Sequence, residues 1–153
     1  MGESAFIKVD GESFVIPDGS DDGIRSREIT ALISYGKRFY QVVDESDLAN
    51  KKFYDSDTKL SDDYKLKFLL KFMLELEGQE EPKEFQLSLS TTSSINFIEY
   101  VKKLAKAGYG VGNAVTRFTI SRQTQQGGAK NKYSRVEFEG FTMDTGSKIC
   151  GTV

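Results

Sequence analysis

Histidine is absent from this 153-residue chain, and cysteine occurs once, as Cys150. The first absence removes every imidazole-based triad, histidine metal site and histidine acid–base step. The second removes an internal disulfide and the familiar cysteine-rich zinc sites, and it agrees with a reducing, cytoplasmic setting. Long apolar runs are missing too. The most apolar segment, "LLKFMLEL", is broken by Lys71 and Glu75, so nothing reaches the ~20 residues of a membrane span. The opening "MGESAFIKVDGES" has neither the basic nor the apolar region of a secretion signal. Asp18, Ser20, Asp22 and Gly23 stand at the spacing that opens a calcium loop, but the twelfth position, which needs Glu, is Ile29. Only carboxylates and lysines remain for acid–base work, and no pair of them is singled out. The expectation is a binding protein, not an enzyme, with no cofactor, no metal and no membrane.

What is present is an uneven charge. The net charge of −2 divides into 8 basic and 14 acidic residues over 1–63, and 13 basic and 9 acidic over 64–153. From Tyr100 to Val136 there are eight Lys or Arg and no Asp or Glu. A local field of this sign attracts polyanions even on a mildly acidic protein. A solvated basic surface is the plainer alternative.

Periodicity indicates a mainly β chain of six or seven strands with one helix. "AFIKVDGESFVI" reads as a hairpin around Asp10-Gly11. "REITALISYGKRFYQVVDES" reads as two strands joined at Gly36-Lys37. Residues 44–63 are polar and weakly patterned, a long loop with room for a short helix. In "YKLKFLLKFMLELEG", Leu66, Phe68, Leu70, Phe72, Leu74 and Leu76 share one face and Lys65, Lys67 and Lys71 the other, a period of two that only a strand satisfies. "EFQLSLS" continues the pattern. The helix follows in "TTSSINFIEYVKKLAKAGYG", capped by Ser93 or Ser94, with Ile95, Phe97, Ile98, Val101, Leu104 and Ala105 as its buried stripe and Gly108 and Gly110 as its stop. Two alternating strands close the domain. "GYGVG" (108–112) follows a helix and does not link a strand to one, so it is a connector and not a phosphate loop.

Candidate binding residues fall in three groups. On the closing hairpin, Arg117, Tyr133 and Arg135 alternate with the inward Phe118, Ile120, Val136 and Phe138, and Arg122, Lys130 and Lys132 extend the charge into the Gln- and Gly-containing loop. "YGKRFYQ" and "NKKFYDS" each join two cations to Phe-Tyr, giving Lys37, Arg38 and Tyr40, then Lys52, Phe53 and Tyr54. Lys65, Lys67 and Lys71 form the third group. Cations neutralise phosphates and exposed rings stack on unpaired bases, which is the chemistry that single-stranded nucleic acid needs. Each group also has a plain reading: charged edge protection for the hairpin, and loop anchoring for the aromatic pairs.

Three segments, "FIKVDGESFVIPDG", "FQLSLSTTSSINFIEYVKKL" and "VTRFTISRQTQQGGAKNKYSRVEFEG", span much of the chain. Their order of strands, helix and hairpin resembles that of phage-type OB-fold single-stranded DNA-binding proteins. The resemblance implies one domain over 1–153, built as a closed Greek-key barrel with a helix before its fourth strand. It also implies coating of single-stranded DNA in the host cytoplasm during phage replication or recombination, without strong sequence preference, with replication or recombination proteins and further copies of the chain as partners. The acidic tail common in such proteins has no counterpart after Asp144. Two other functions fit the same composition: a small protein-interaction module that inhibits a host enzyme, and a β-sandwich virion component.

Overall fold

The computed structural model of the chain describes residues 5–19, 21–43, 53–76, 80–124 and 132–152, with backbone alone for Val43, Gln123, Thr124, Lys132 and Tyr133. The described residues are mainly β. The strands are β1 (Ala5–Phe6), β2 (Lys8–Asp10), β3 (Ser13–Ile16), β4 (Ile24–Ser26), β5 (Glu28–Ala31), β6 (Ile33–Val43), β7 (Phe53–Ser56), β8 (Lys65–Leu74) and β9 (Lys83–Leu89). The helix α1 (Thr91–Lys106) and a 3-10 turn at Val111–Asn113 come next, followed by β10 (Val115–Thr124), β11 (Lys132–Phe141) and β12 (Lys148–Gly151). Three sheets result, ordered β1-β9-β8-β6-β7, β12-β11-β10-β5 and β2-β3-β4.

The alternation over Lys65–Leu74 does what its period dictates. Leu70 and Phe72 are fully buried, while Lys65 and Met73 on the other face are exposed. The closing hairpin is equally faithful, with Phe118 opposite Phe138 and Ile120 opposite Val136. Between the sheets lies an aromatic core. Phe118 stands 5.0 Å from Phe72 and 5.5 Å from Phe138, and Phe138 is also 5.3 Å from Phe97 and 5.7 Å from Tyr100. Each buried ring contributes roughly 1.5–3 kcal/mol through burial, and favourable ring pairs add about 0.5–1.5 kcal/mol.

Several sequence expectations shift. Gly36-Lys37 is not a turn. The break falls at Leu32, where the chain leaves the sheet in which β5 pairs β10 and enters the one in which β6 pairs β8. A two-residue turn requires its flanks to pair with each other, and these flanks pair elsewhere. The first hairpin turns on Gly11-Glu12, one residue later than expected, with Gly11 at φ 65° in the left-handed region that glycine tolerates. The region 44–63 contains a strand, β7, and no helix among its described residues. The helix is capped by Ser90, whose hydroxyl accepts from the Ser93 amide, which moves the start three residues earlier. Its buried stripe is Ser93, Ser94, Phe97, Tyr100 and Leu104, leaving Ile95 half exposed.

The curled sheets form a half-barrel. β9 and β11, whose pairing would close it, share no ladder among the described residues. The first turn of α1 reaches both instead. Ser94 Oγ donates to the Leu89 carbonyl and Ser93 Oγ accepts from the Val136 amide. Gly140 makes the close approach of α1 to β11 feasible, because a Cβ there would lie 2.7 Å from Tyr100 Oη and 3.0 Å from Leu104 Cδ2. Tyr100 is wholly buried, and its hydroxyl lies 2.8 Å from that of the equally buried Thr116.

Two stability predictions follow from this packing. Gly140→Ala should cost about 1–3 kcal/mol through overpacking, seen as an earlier urea midpoint. Burial pushes the Tyr100 hydroxyl from the ordinary tyrosine value of 10.0 up to about 12, with the Thr116 hydrogen bond opposing it in part. Below pH 10 this group is protonated in folded and unfolded chains alike. Between pH 10 and 12 only the unfolded chain ionises, so stability should fall as pH rises through that window. Tyr100→Phe should flatten that part of an alkaline denaturation profile.

Candidate nucleic-acid interface

Directly paired residues of an antiparallel ladder share a face, so the register of the five-stranded sheet defines its outer surface. Row by row it carries Tyr35, Lys71, Gln86 and Phe6; then Lys37, Leu69 and Ser88; then Phe39 and Lys67; then Asp55, Gln41 and Lys65. Phe53, paired with Val43, follows. Four lysines thus alternate with four aromatic rings, against Asp55 as the one carboxylate in those rows. Phe6, Tyr35 and Phe53 are 53%, 44% and 52% exposed, enough ring surface to stack a base. Lys71 Nζ lies 5.0 Å from the Tyr35 ring centroid, a cation–π contact. Lys37, Lys65 and Lys67 pair with no described carboxylate. The middle of this face sinks into a trough of about 550 Å³ lined by Phe6, Lys37, Phe39, Gln41, Asp55 and their neighbours.

One backbone detail sets this arrangement. Ile29, Ala31 and Ile33 point inward in regular alternation, which would also send Tyr35 inward. A bulge between Ile33 and Tyr35 inserts one extra residue, so Ile33 sits opposite buried Phe72 and Tyr35 opposite Lys71. Ser34 Oγ donates to the Lys71 carbonyl at 3.1 Å there. The bulge reverses the phase and turns Tyr35, Lys37, Phe39 and Gln41 to the outside.

Of the closing hairpin's cations, Arg122 and Lys132 stand opposite Ser134 and Thr124 in one phase of the ladder, while Arg117 and Arg135 share the other, where Arg117 opposes Glu139, Ser121 opposes Arg135 and Gln123 opposes Tyr133. That face, however, neutralises itself. Arg135 Nε donates to Glu137 at 2.7 Å, and Lys148 meets Glu139 at 3.1 Å. Arg117 lies 3.8 Å from Glu28 and 4.7 Å from the Phe141 ring, without a hydrogen bond at Nε. Glu137 is a junction, 4% exposed. Its Oε1 accepts from Arg135 and Ser121, and its Oε2 from Asn96 at 3.0 Å and Thr152 at 2.6 Å. One carboxylate therefore joins α1, β10, β11 and the segment after β12.

The candidate residues separate accordingly. Lys37, Phe53, Lys65, Lys67 and Lys71 come together on the outer face of the five-stranded sheet. Arg38, Tyr40 and Tyr54 point to the opposite side, since Arg38 pairs with Phe68, Tyr40 with Leu66 and Tyr54 with Val42. Arg117 and Arg135 lie on the hairpin, and Arg122 donates to Ser134 Oγ, which in turn donates to the Gly11 carbonyl. Lys132 and Tyr133 are placed by backbone on the same hairpin, while Lys52 and Lys130 lie outside the described residues. Phe6, Tyr35 and Phe39 were missed. Their signal is the row of lysines on β8, which marks the outer side of the sheet and hence every residue paired with it. A second hollow of about 300 Å³, lined by Ile33, Phe68, Phe97, Val101 and Val111 with Lys102, is almost wholly apolar and offers little to a phosphate chain. Comparison with protein-family models, curated proteins and solved structures finds no match to this chain.

The hairpin geometry predicts a structural role for Glu137. Glu137→Ala leaves four donors without their acceptor and should cost about 3 kcal/mol or more, measured by chemical denaturation. A cost under about 1 kcal/mol would show that the junction contributes little.

Proposed function

We propose that this protein binds single-stranded nucleic acid, DNA in preference to RNA, and coats it without catalysis. The observation that carries the reading is the outer face of β6 and β8, where Lys37, Lys65 and Lys67, which meet no described carboxylate, alternate with the exposed Tyr35 and half-buried Phe39 rings in one register. Lysines neutralise successive phosphates while the rings accept unstacked bases, a combination that serves any sequence. The strand order supports an OB-type architecture. β5–β6 is one bent strand shared by two sheets, β6, β8 and β9 form a meander, and α1 precedes the β10–β11 hairpin. In that architecture the second and third barrel strands, here β8 and β9, present the binding face, and adjoining loops contribute to it. The preference for DNA, and a place in phage replication or recombination, rest on the resemblance of the three sequence segments.

Fluorescence anisotropy with a labelled oligo-dT at two salt concentrations tests the reading. Affinity should fall with salt at a log–log slope of about −0.7 for each phosphate neutralised, and Lys37→Ala or Lys67→Ala should each reduce that slope by about one contact. Phe39→Ala should cost about 1–3 kcal/mol of binding through lost stacking. Arg122→Ala, which removes a cation on the hairpin, should cost less than Lys67→Ala. Absence of binding at low salt defeats the proposal, and a larger loss from Arg122→Ala moves the site to the hairpin.

A further inference from the structure

Carboxylates are out of place on a surface that attracts phosphates, yet Asp55 and Asp57 both line the trough of the outer face. Their surroundings are specific. Gln41 Nε2 donates to Asp55 Oδ1 at 2.9 Å, on the neighbouring strand and in the same row. That bond fixes the amide, so Asp55 Oδ2 and Gln41 Oε1 remain as acceptors, beside the apolar Leu69 and the Phe39 ring. The trough, at about 550 Å³, has ample room for a nucleobase. Its lining therefore combines acceptors with apolar surface, and Lys37 stands at the same site.

We infer that the trough holds one base of the bound strand and prefers guanine. The inference rests on the nucleic-acid reading above and adds to it a preference at one position. An unstacked base is read on its Watson–Crick edge. Guanine alone presents two donors side by side there, N1–H and the 2-amino group, which match an acceptor fork such as a carboxylate. Adenine and cytosine each set one donor beside an acceptor, and thymine sets its single N3–H between two carbonyls. The acceptors of Asp55 and Gln41 repel those carbonyls and lone pairs. Phosphates stay with the lysine rows, and the carboxylate faces the base.

The test uses three labelled 15-mers: all dT, dT with one central dG, and dT with one central deoxyinosine, which lacks the 2-amino group. The full chain should bind the dG strand at least about fivefold more tightly than all-dT, and the deoxyinosine strand should lose most of that gain. Asp55→Asn puts a donor where an acceptor was. It should abolish the preference while binding all-dT more tightly, because a charge that repels phosphate is gone. Equal affinity of the unaltered chain for the dG and all-dT strands overturns the inference and leaves the nucleic-acid reading standing. So does a guanine preference that survives Asp55→Asn or that deoxyinosine reproduces in full. Failure of every strand to bind at low salt overturns both. The deoxyinosine comparison uses the unaltered protein, so it decides the matter even if the variant does not fold.

Discussion

The backbone of β11 at Val136 and Phe138 lies beyond the β11–β12 ladder, whose pairs begin at Glu139, and the molecule is organised around satisfying it. An unpaired edge inside a protein leaves amides and carbonyls whose desolvation costs about 1–3 kcal/mol each. Here the partners are three side chains and one backbone amide, that of Thr152. Ser93 accepts from the Val136 amide, Asn96 donates to the Val136 carbonyl, and Thr152 bonds both polar groups of Phe138. Glu137, between them, is buried because Asn96, Ser121, Arg135 and Thr152 all donate to it. A helix thereby takes the position a neighbouring strand would hold, and the half-barrel stays open between β9 and β11.

That solution draws on the hairpin's charge. The 37-residue acid-free region from Tyr100 to Val136 is followed by Glu137 and Glu139, and the fold brings Glu28 beside it as well. Arg117, Arg135 and Lys148 are committed to those acids, and Lys103 donates to the Gly151 carbonyl. Four cations of that stretch, Lys103, Arg117, Arg122 and Arg135, are therefore engaged by groups of the protein itself. Lys37, Lys65, Lys67 and Lys71, which meet no described carboxylate, sit on β6 and β8, outside that stretch. Surface potential follows pairing in space, not runs in sequence.

Local periodicity explains which parts were legible. The β8 alternation, the inward faces of the closing hairpin and the existence of α1 each depend on residues close in sequence, and each holds. What failed depends on partners far away. Gly36-Lys37 has the chemistry of a turn, but β8 and β10 claim the flanking segments. Ser93 and Ser94 suited an N-cap, and they are buried one turn further in because β9 and β11 need their hydroxyls. Tyr40 is a candidate from its place beside Lys37 and Arg38, whereas the bulge at Ser34 turns its neighbour Phe39 outward. The candidate lysines of β8 were readable because that strand runs without a bulge. The rings beside them were not, because their orientation is set across the sheet.

The extra residue at Ser34 gives β6 a reading frame. Individual outward positions on this strand make few contacts with the core, so single replacements there act locally. A one-residue insertion or deletion between Ile33 and Gln41 acts differently. It exchanges the outward side chains beyond it for inward ones, for example setting Lys37 against Leu70 and Gln41 against Leu66 while Gly36, Arg38 or Tyr40 turn outward in their place. The length of this strand is therefore a stricter constraint than the identity of any single residue along it, because one residue added or lost moves the whole face at once.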